Sequence, residues 1–170
     1  FLKDKSFHQK ITSLQWWPIS GLVEIYSLKN PRGSFEYLLL LTEVFTSEFA
    51  IRSILNQDPK LVLAFLKKAS KSKNLHHRRL ASEGARPLLP WGKKAIAISG
   101  DPSLTEEILN NLKFDDEIYV RKSVANHLND FSKLHPDFVL KLLAKWNMEA
   151  DQENRQKIEW ITKHALRTLI

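Results

Sequence analysis

Asp58-Pro59-Lys60-Leu61-Val62-Leu63, Asp101-Pro102-Ser103-Leu104-Thr105 and His135-Pro136-Asp137-Phe138-Val139-Leu140 open three stretches of the chain in the same way. In each, a proline stands where the first turn of a helix would fall. Its missing N–H loses nothing there, because that donor has no partner inside a helix. The apolar residues behind each proline recur at a helical period: Leu61, Leu63, Phe65 and Leu66; Leu104, Ile108, Leu109 and Leu112; Phe138, Leu142, Leu143 and Trp146. A second helix is predicted after each, over about residues 75–86, 117–131 and 153–170. An earlier pair is predicted over about 35–45 and 47–56, with Thr46 or Ser47 as the cap.

A helix pair every 35–45 residues or so is a HEAT-like spacing. With five glycines, no Asn-Gly turn and no sustained alternation, the sequence carries no strand signal. The expected fold is all-α, a solenoid of stacked helix pairs forming one domain over residues 1–170. Residues 35–170 carry the pairs, and residues 1–34 read as less regular. That first part holds Trp16-Trp17-Pro18, expected as core or repeat cap, and a turn at Asn30-Pro31-Arg32-Gly33.

The 170 residues are 43% apolar and 26% charged, ordinary values for a globular protein. With no cysteine, disulfide scaffolds, thiolate metal sites and cysteine nucleophiles are excluded. No apolar run is long enough for a membrane span. No signal peptide is recognised, and a soluble cytoplasmic protein is expected. Opening on Phe1 and closing on a helical pattern at Ile170, the chain is expected to be a piece of a longer one.

The net charge of +7 is unevenly spread. Residues 71–94 hold Lys71, Lys73, Arg78, Arg79, Arg86, Lys93 and Lys94 against Glu83 alone, which points to a polyanion, most often nucleic acid. On helical wheels the second helices show matching polar faces: Arg79, Ser82, Glu83 and Arg86; Tyr119, Lys122, Asn126, Asn129 and Asp130; Trp160, Lys163, His164 and Arg167. Their apolar stripes put Glu83, Asn126 and Arg167 in register, so stacking would line these faces along one concave surface. Arginines that fork onto phosphates, mixed with aromatics that stack on sugars or bases, suit nucleic acid better than a plain solvated face does.

Glu83 has two readings. It is a local ion pair with Arg79 and Arg86, or it is a carboxylate kept beside DNA for chemistry. Cleaving an N-glycosidic bond develops positive charge on the sugar, which a fixed carboxylate stabilises. Arg79 would then keep it ionised. Trp91, after the rigid Pro87-Leu88-Leu89-Pro90, is a core anchor or an aromatic presented to a deoxyribose. No nucleophile-elbow, HExxH or phosphate-loop motif occurs, and adjacent His76 and His77 make a poor metal pair.

Four blocks carry a resemblance. Arg78-Arg79-Leu80-Ala81-Ser82-Glu83-Gly84-Ala85-Arg86-Pro87-Leu88-Leu89-Pro90-Trp91 is similar to a signature of the AlkC branch of the bacterial DNA alkylation repair glycosylases. So are Tyr119-Val120-Arg121-Lys122-Ser123-Val124-Ala125-Asn126-His127-Leu128-Asn129-Asp130, Trp160-Ile161-Thr162-Lys163-His164-Ala165-Leu166-Arg167-Thr168-Leu169 and the upstream Thr46-Ser47-Glu48-Phe49-Ala50-Ile51-Arg52. The likeness spans about residues 40–170. It implies a monomeric, cofactor-free and metal-free glycosylase that removes cationic N-alkylated bases, above all N3-methyladenine, from double-stranded DNA without a base-flipping pocket. Localisation is then bacterial cytoplasm, at the nucleoid when bound.

Carried over by residue, the resemblance implies Glu83 as catalytic carboxylate, Asp130 as second acid, Trp91 as sugar-facing aromatic and Arg79 as support. The basic block and the polar helix faces add the expected DNA contacts: Arg78, Arg86, Lys93, Lys94, Arg121, Lys122, Asn126, Lys163, His164 and Arg167. Leu88 stands where a basic residue is expected and His77 where an aliphatic one is. By this resemblance the family's upstream helices are expected to be missing or shortened here, and some members continue into an immunoglobulin-like domain. A non-catalytic DNA-binding protein on the same scaffold stays open as the alternative. A protein–protein scaffold is disfavoured by the arginine-rich face.

Overall fold

The structure, a computed structural model, describes residues 13–169. After a 3-10 turn at Ser13–Trp16, ten helices follow among the described residues: α1 (Trp17–Lys29), α2 (Pro31–Val44), α3 (Arg52–Gln57), α4 (Pro59–Ala69), α5 (Leu75–Glu83), α6 (Ile96–Gly100), α7 (Glu106–Leu112), α8 (Ile118–Leu134), α9 (Pro136–Glu149) and α10 (Gln152–Ala165). No strand occurs among these residues, and none of their helices is long and apolar enough to cross a membrane.

Starts are set by local chemistry. Asp58 accepts the Leu61 N–H at 3.0 Å, and Asp151 accepts the Asn154 N–H at 2.9 Å. Each carboxylate satisfies a donor that the helix leaves orphaned, worth about 1 kcal/mol. The predicted turn at Asn30–Gly33 is instead the start of α2. Pro31 takes the first helical position and the Asn30 side chain accepts the Gly33 N–H at 3.1 Å. A β-carbon on Gly33 would meet that asparagine amide at 2.3 Å, so the cap requires glycine. The stretch predicted as less regular thus holds α1 and the start of α2. Its first twelve residues, like Ile170, lie outside the described residues.

Other boundaries move as well. Residues 48–51 form turns rather than the first part of a helix, and Ser47 donates to the Leu38 carbonyl at 2.6 Å instead of capping. Pro102–Thr105 is a 3-10 turn leading into α7. The helix predicted over 75–86 stops at Glu83, because Pro87 disfavours helical backbone at Arg86. The helix predicted to reach residue 170 stops at Ala165, leaving Arg167 in the turns beyond. Helix α6, five residues long, carries too little periodicity to be predicted.

Helices α2, α5, α8 and α10 stack side by side, each packed on its own partner, α1, α4, α7 or α9. The apolar stripes meet between the rows: Val62 and Leu66, Ile108 and Leu112, Val124 and Leu128, Leu142 and Trp146, Ile158 and Ile161 are all buried in one cluster. Burying each large side chain contributes about 1.5–3 kcal/mol. Of the paired tryptophans, Trp16 is buried, while Trp17 is half-exposed and packs on Phe45 and Phe49. Helices α5 and α8 run parallel, since Glu83 meets Ser123 and Arg86 meets Asp130. Asn126 likewise meets Arg167, and Asn129 meets the Ala165 carbonyl. The polar faces of α5, α8 and α10 therefore lie on one side of the stack.

Candidate functional site

At the end of α5, three carboxylates and two guanidiniums interlock. Arg86 donates through Nη1 to Glu83 Oε1 at 2.6 Å, and forks onto Asp130 through Nε and Nη2 at 2.8 and 3.1 Å. Glu83 also accepts the Ser123 hydroxyl at 2.7 Å. Arg79 forks onto Glu48 at 2.7 and 2.9 Å and approaches Glu83 at 3.8 Å. The hydrogen-bonded partner of Glu83 is thus Arg86, while Arg79, expected as its support, stays within ion-pair distance and has its guanidinium 5.4 Å from the centre of the Tyr119 ring. The reason is tertiary, because Glu48 lies 31 residues upstream and enters from the turn before α3.

Beneath them Arg52, fully buried, donates to the backbone carbonyls of Arg86 at 2.5 Å and Glu83 at 3.3 Å. Burial and the neighbouring charge of Arg86 lower its pKa to about 10, which leaves it charged at neutral pH. Arg52, Glu48 and Ser123 went unassigned at the level of sequence. The available signal was Glu48 and Arg52 flanking the apolar Phe49-Ala50-Ile51, since charges in an apolar run need partners.

The two acids differ electrostatically. Burial alone would raise the Glu83 pKa. The charges of Arg79 and Arg86, with hydrogen bonds from Ser123 and Arg86, outweigh it and hold the carboxyl below the ordinary 4.5. For Asp130 burial prevails over Arg86, and its carboxyl moves up, helped by the nearby negative charge of Glu83. Glu83 sits between two guanidiniums and Asp130 faces one. Both are deeply recessed, 6% and 3% exposed. Asp130 borders a cleft of about 400 Å³ whose rim includes Leu89, Pro90, Lys94, Lys133 and Arg167. Lys133, one turn along from Asp130, is a further cation that the sequence reading did not single out.

Trp91 stands at the head of the loop bordering that cleft, 97% exposed. Its φ of 59° is the one positive value at a non-glycine among the described residues, a conformation unfavourable for a side chain with a β-carbon. Gly92 follows because a β-carbon there would strike Leu89 at 2.6 Å.

The other expected DNA contacts divide into two groups. Arg78 is held by Asp115 and by the carbonyls of Ser72 and Lys73; Arg121 is held by the carbonyls of Asp115 and Asp116; Arg86 is buried as above. Lys93 lies 2.7 Å from Glu24. Lys94, Lys122, Lys163 and Arg167 face solvent, with Asn126 beside Arg167 at 3.1 Å. Trp160 and His164 stack at 4.5 Å between centroids, 13° apart. Slight burial, then the charges of Arg167, Lys122 and Lys163, push the His164 pKa down. This marks α8 and α10 as sharing one positive patch.

Two histidines are structural. His127 is fully buried between the Ser82 carbonyl and Thr105, and burial lowers its pKa to about 3, so it is neutral. His77 links Glu43, at 2.8 Å, to the Ser72 hydroxyl, which also accepts the Asn74 N–H ahead of α5. No group of three or more metal-ligating side chains occurs among the described residues.

Residues 45–169, which hold Glu48, Arg52, Arg79, Glu83, Arg86 and Asp130, match the family described as DNA alkylation repair enzyme. The chain belongs to this family. It is 44% identical over 169 residues to the uncharacterised protein YhaZ of Bacillus subtilis strain 168, an alignment covering 99% of this chain and 45% of that protein. It also matches the Pseudomonas fluorescens alkylpurine DNA glycosylase AlkC, solved bound to DNA containing an abasic site analogue. That match has a TM-score of 0.81 at 43% identity, over 88% of this chain and 41% of AlkC. Within the family the chain is therefore of the AlkC type, a helical repeat fold. It spans less than half the length of either relative.

Proposed function

We propose that this chain is the base-excising part of an alkylpurine DNA glycosylase, hydrolysing the N-glycosidic bond of cationic N-alkylated bases, N3-methyladenine first, in duplex DNA. The observation that carries this reading is the pair of recessed carboxylates, Glu83 and Asp130, joined by Arg86 beside an exposed tryptophan in a DNA-repair fold. A base already bearing positive charge leaves without a general acid. The remaining barrier lies in the cationic sugar and the water that attacks it. Negative charge fixed in a water-poor site stabilises that cation, and loss of such a group typically costs on the order of 10²–10³ in rate. Asp130 borders the cleft and acts nearest the sugar. Glu83, held ionised, supplies the second negative charge and fixes Arg86. Trp91 lies against the deoxyribose, and its π face favours positive charge.

DNA binding is assigned to the solvent-facing Lys94, Lys122, Lys163 and Arg167, with Asn126 and the Trp160–His164 stack. Arg78, Arg121 and Arg86 hold the scaffold together. The AlkC complex with abasic DNA supports a DNA partner for this fold, and the protein is taken to act as a cytoplasmic monomer without metal or cofactor. The test is single-turnover release of methylated bases from alkylated duplex by the full chain and its Glu83→Gln and Asp130→Asn variants. Release that collapses in either variant while DNA binding persists supports the reading. Salt-sensitive DNA binding without release by the unsubstituted chain favours a non-catalytic DNA-binding protein.

A further inference from the structure

The Trp91 side chain is almost wholly in solvent, so its own packing does little to hold it. Its backbone is in the left-handed region, which a residue with a β-carbon leaves unless its surroundings over-determine it. The ties therefore lie on either side of it. Before Trp91, Arg52 holds the Arg86 carbonyl, the Pro87 carbonyl accepts from Ala95 N–H at 3.2 Å, and Gly92 N–H closes onto the Leu89 carbonyl at 3.1 Å. After it, Asn56 of α3 grips the backbone twice. Its Nδ2 donates to the Lys94 carbonyl at 2.9 Å, and its Oδ1 accepts the Ile96 N–H at 3.1 Å.

A side-chain knot adds to this grip. The Lys93 ammonium donates to Glu24 of α1 at 2.7 Å and to the Ser53 hydroxyl of α3 at 2.6 Å, and Ser53 also donates to Glu24. Glu24 lies upstream of residue 45, outside the family match.

We propose that Asn56, assisted by Ser53 and Glu24, is the positioning device that holds Trp91 against DNA, so that α1 and α3 take part in the reaction through the loop they clamp. The inference rests on the reading above that Trp91 meets the deoxyribose. Asn56 is the principal member because one planar amide matches a carbonyl and an N–H two residues apart. The Lys93–Glu24 pair has its ammonium largely in water, where an ion pair contributes little. Lys93, expected to contact phosphate, is on this account part of the clamp.

The test uses the full chain with Asn56→Ala, Asn56→Asp and Glu24→Gln, each alone and combined with Trp91→Ala. Emission lost in Trp91→Phe isolates the signal of Trp91. In Asn56→Ala the anisotropy of that signal is expected to fall, and single-turnover release to slow about tenfold. In the Trp91→Ala background the same change is expected to alter release by less than about twofold, because the two residues act as one unit. Asn56→Asp, which keeps the acceptor and loses the donor, and Glu24→Gln should show smaller effects of the same sign. They carry the comparison if Asn56→Ala does not fold. An unchanged anisotropy, or an equal loss of release with and without Trp91, overturns the clamp. If the unsubstituted chain releases no base, the glycosylase reading fails, and the anisotropy alone decides whether Asn56 holds Trp91.

Discussion

Arg52, with no exposed surface, donates to the backbone carbonyl of Arg86 at 2.5 Å, so that one buried guanidinium fixes the main chain of another. The second in turn holds Glu83 and Asp130. Removing Arg52 leaves the carbonyls of Glu83 and Arg86 without that donor in a dry interior. Arg52→Met is expected to lower unfolding free energy by about 2–4 kcal/mol, read by chemical denaturation. A loss under about 0.5 kcal/mol would show that water replaces the guanidinium at no cost.

Glu83→Gln keeps the shape and an acceptor for Arg86, while Arg86 retains Asp130 and Arg79 retains Glu48. Stability is expected to fall by no more than about 1–2 kcal/mol. DNA binding should stay equal or tighten slightly, since one repulsion with phosphate is gone. Base release should drop at least about a hundredfold. The pH sign follows from the shifts. Glu83 is held below its ordinary 4.5, so the stability it contributes is complete above that value and lost as pH falls through the lower folded-state pKa. Asp130 is raised, so it contributes the opposite slope and recovers stability as pH falls. An acid limb in the release rate that moves only in Asp130→Asn would transfer the essential charge to Asp130.

Trp91→Gly separates backbone from side chain. Glycine accepts a φ of 59° without penalty, and the indole contributes little packing at 97% exposure. Thermal stability is therefore expected to hold within about 1 kcal/mol, since relief of strain offsets the greater freedom of the unfolded chain. Release should fall, though less than in Glu83→Gln, because a π contact is lost and no full charge. An unchanged rate would remove Trp91 from the site.

Salt titration tests the division among the cations. Lys122→Gln and Lys163→Gln should each reduce the slope of log affinity against log salt by about 0.9, the share of one phosphate contact. Arg78→Gln should leave that slope alone and lower stability by about 1–3 kcal/mol, because its donors serve Asp115 and two carbonyls. If Arg78→Gln lowers the slope instead, its guanidinium exchanges Asp115 for phosphate on binding.

Helix starts and buried stripes were legible in the chain because both are local. Pro59 and Pro136 open helices, Asp58 caps one, and Val124 and Leu128 fall one turn apart on the buried side. These follow from backbone geometry within a few residues, and they suffice for a stack of helix pairs with its polar faces on one side. Glu83 stood out as the lone acid in a basic block for the same local reason. The use of the arginines was not local. Arg78 is neutralised from 37 residues away, Arg79 from 31, and Arg86 from both 3 and 44. A run of cations in sequence measures how much positive charge a segment carries. Only the packing of α5 against α8 and against the turns that precede α3 and α8 decides which of those charges meet a carboxylate inside the protein and which, like Lys122 and Lys163, remain in solvent.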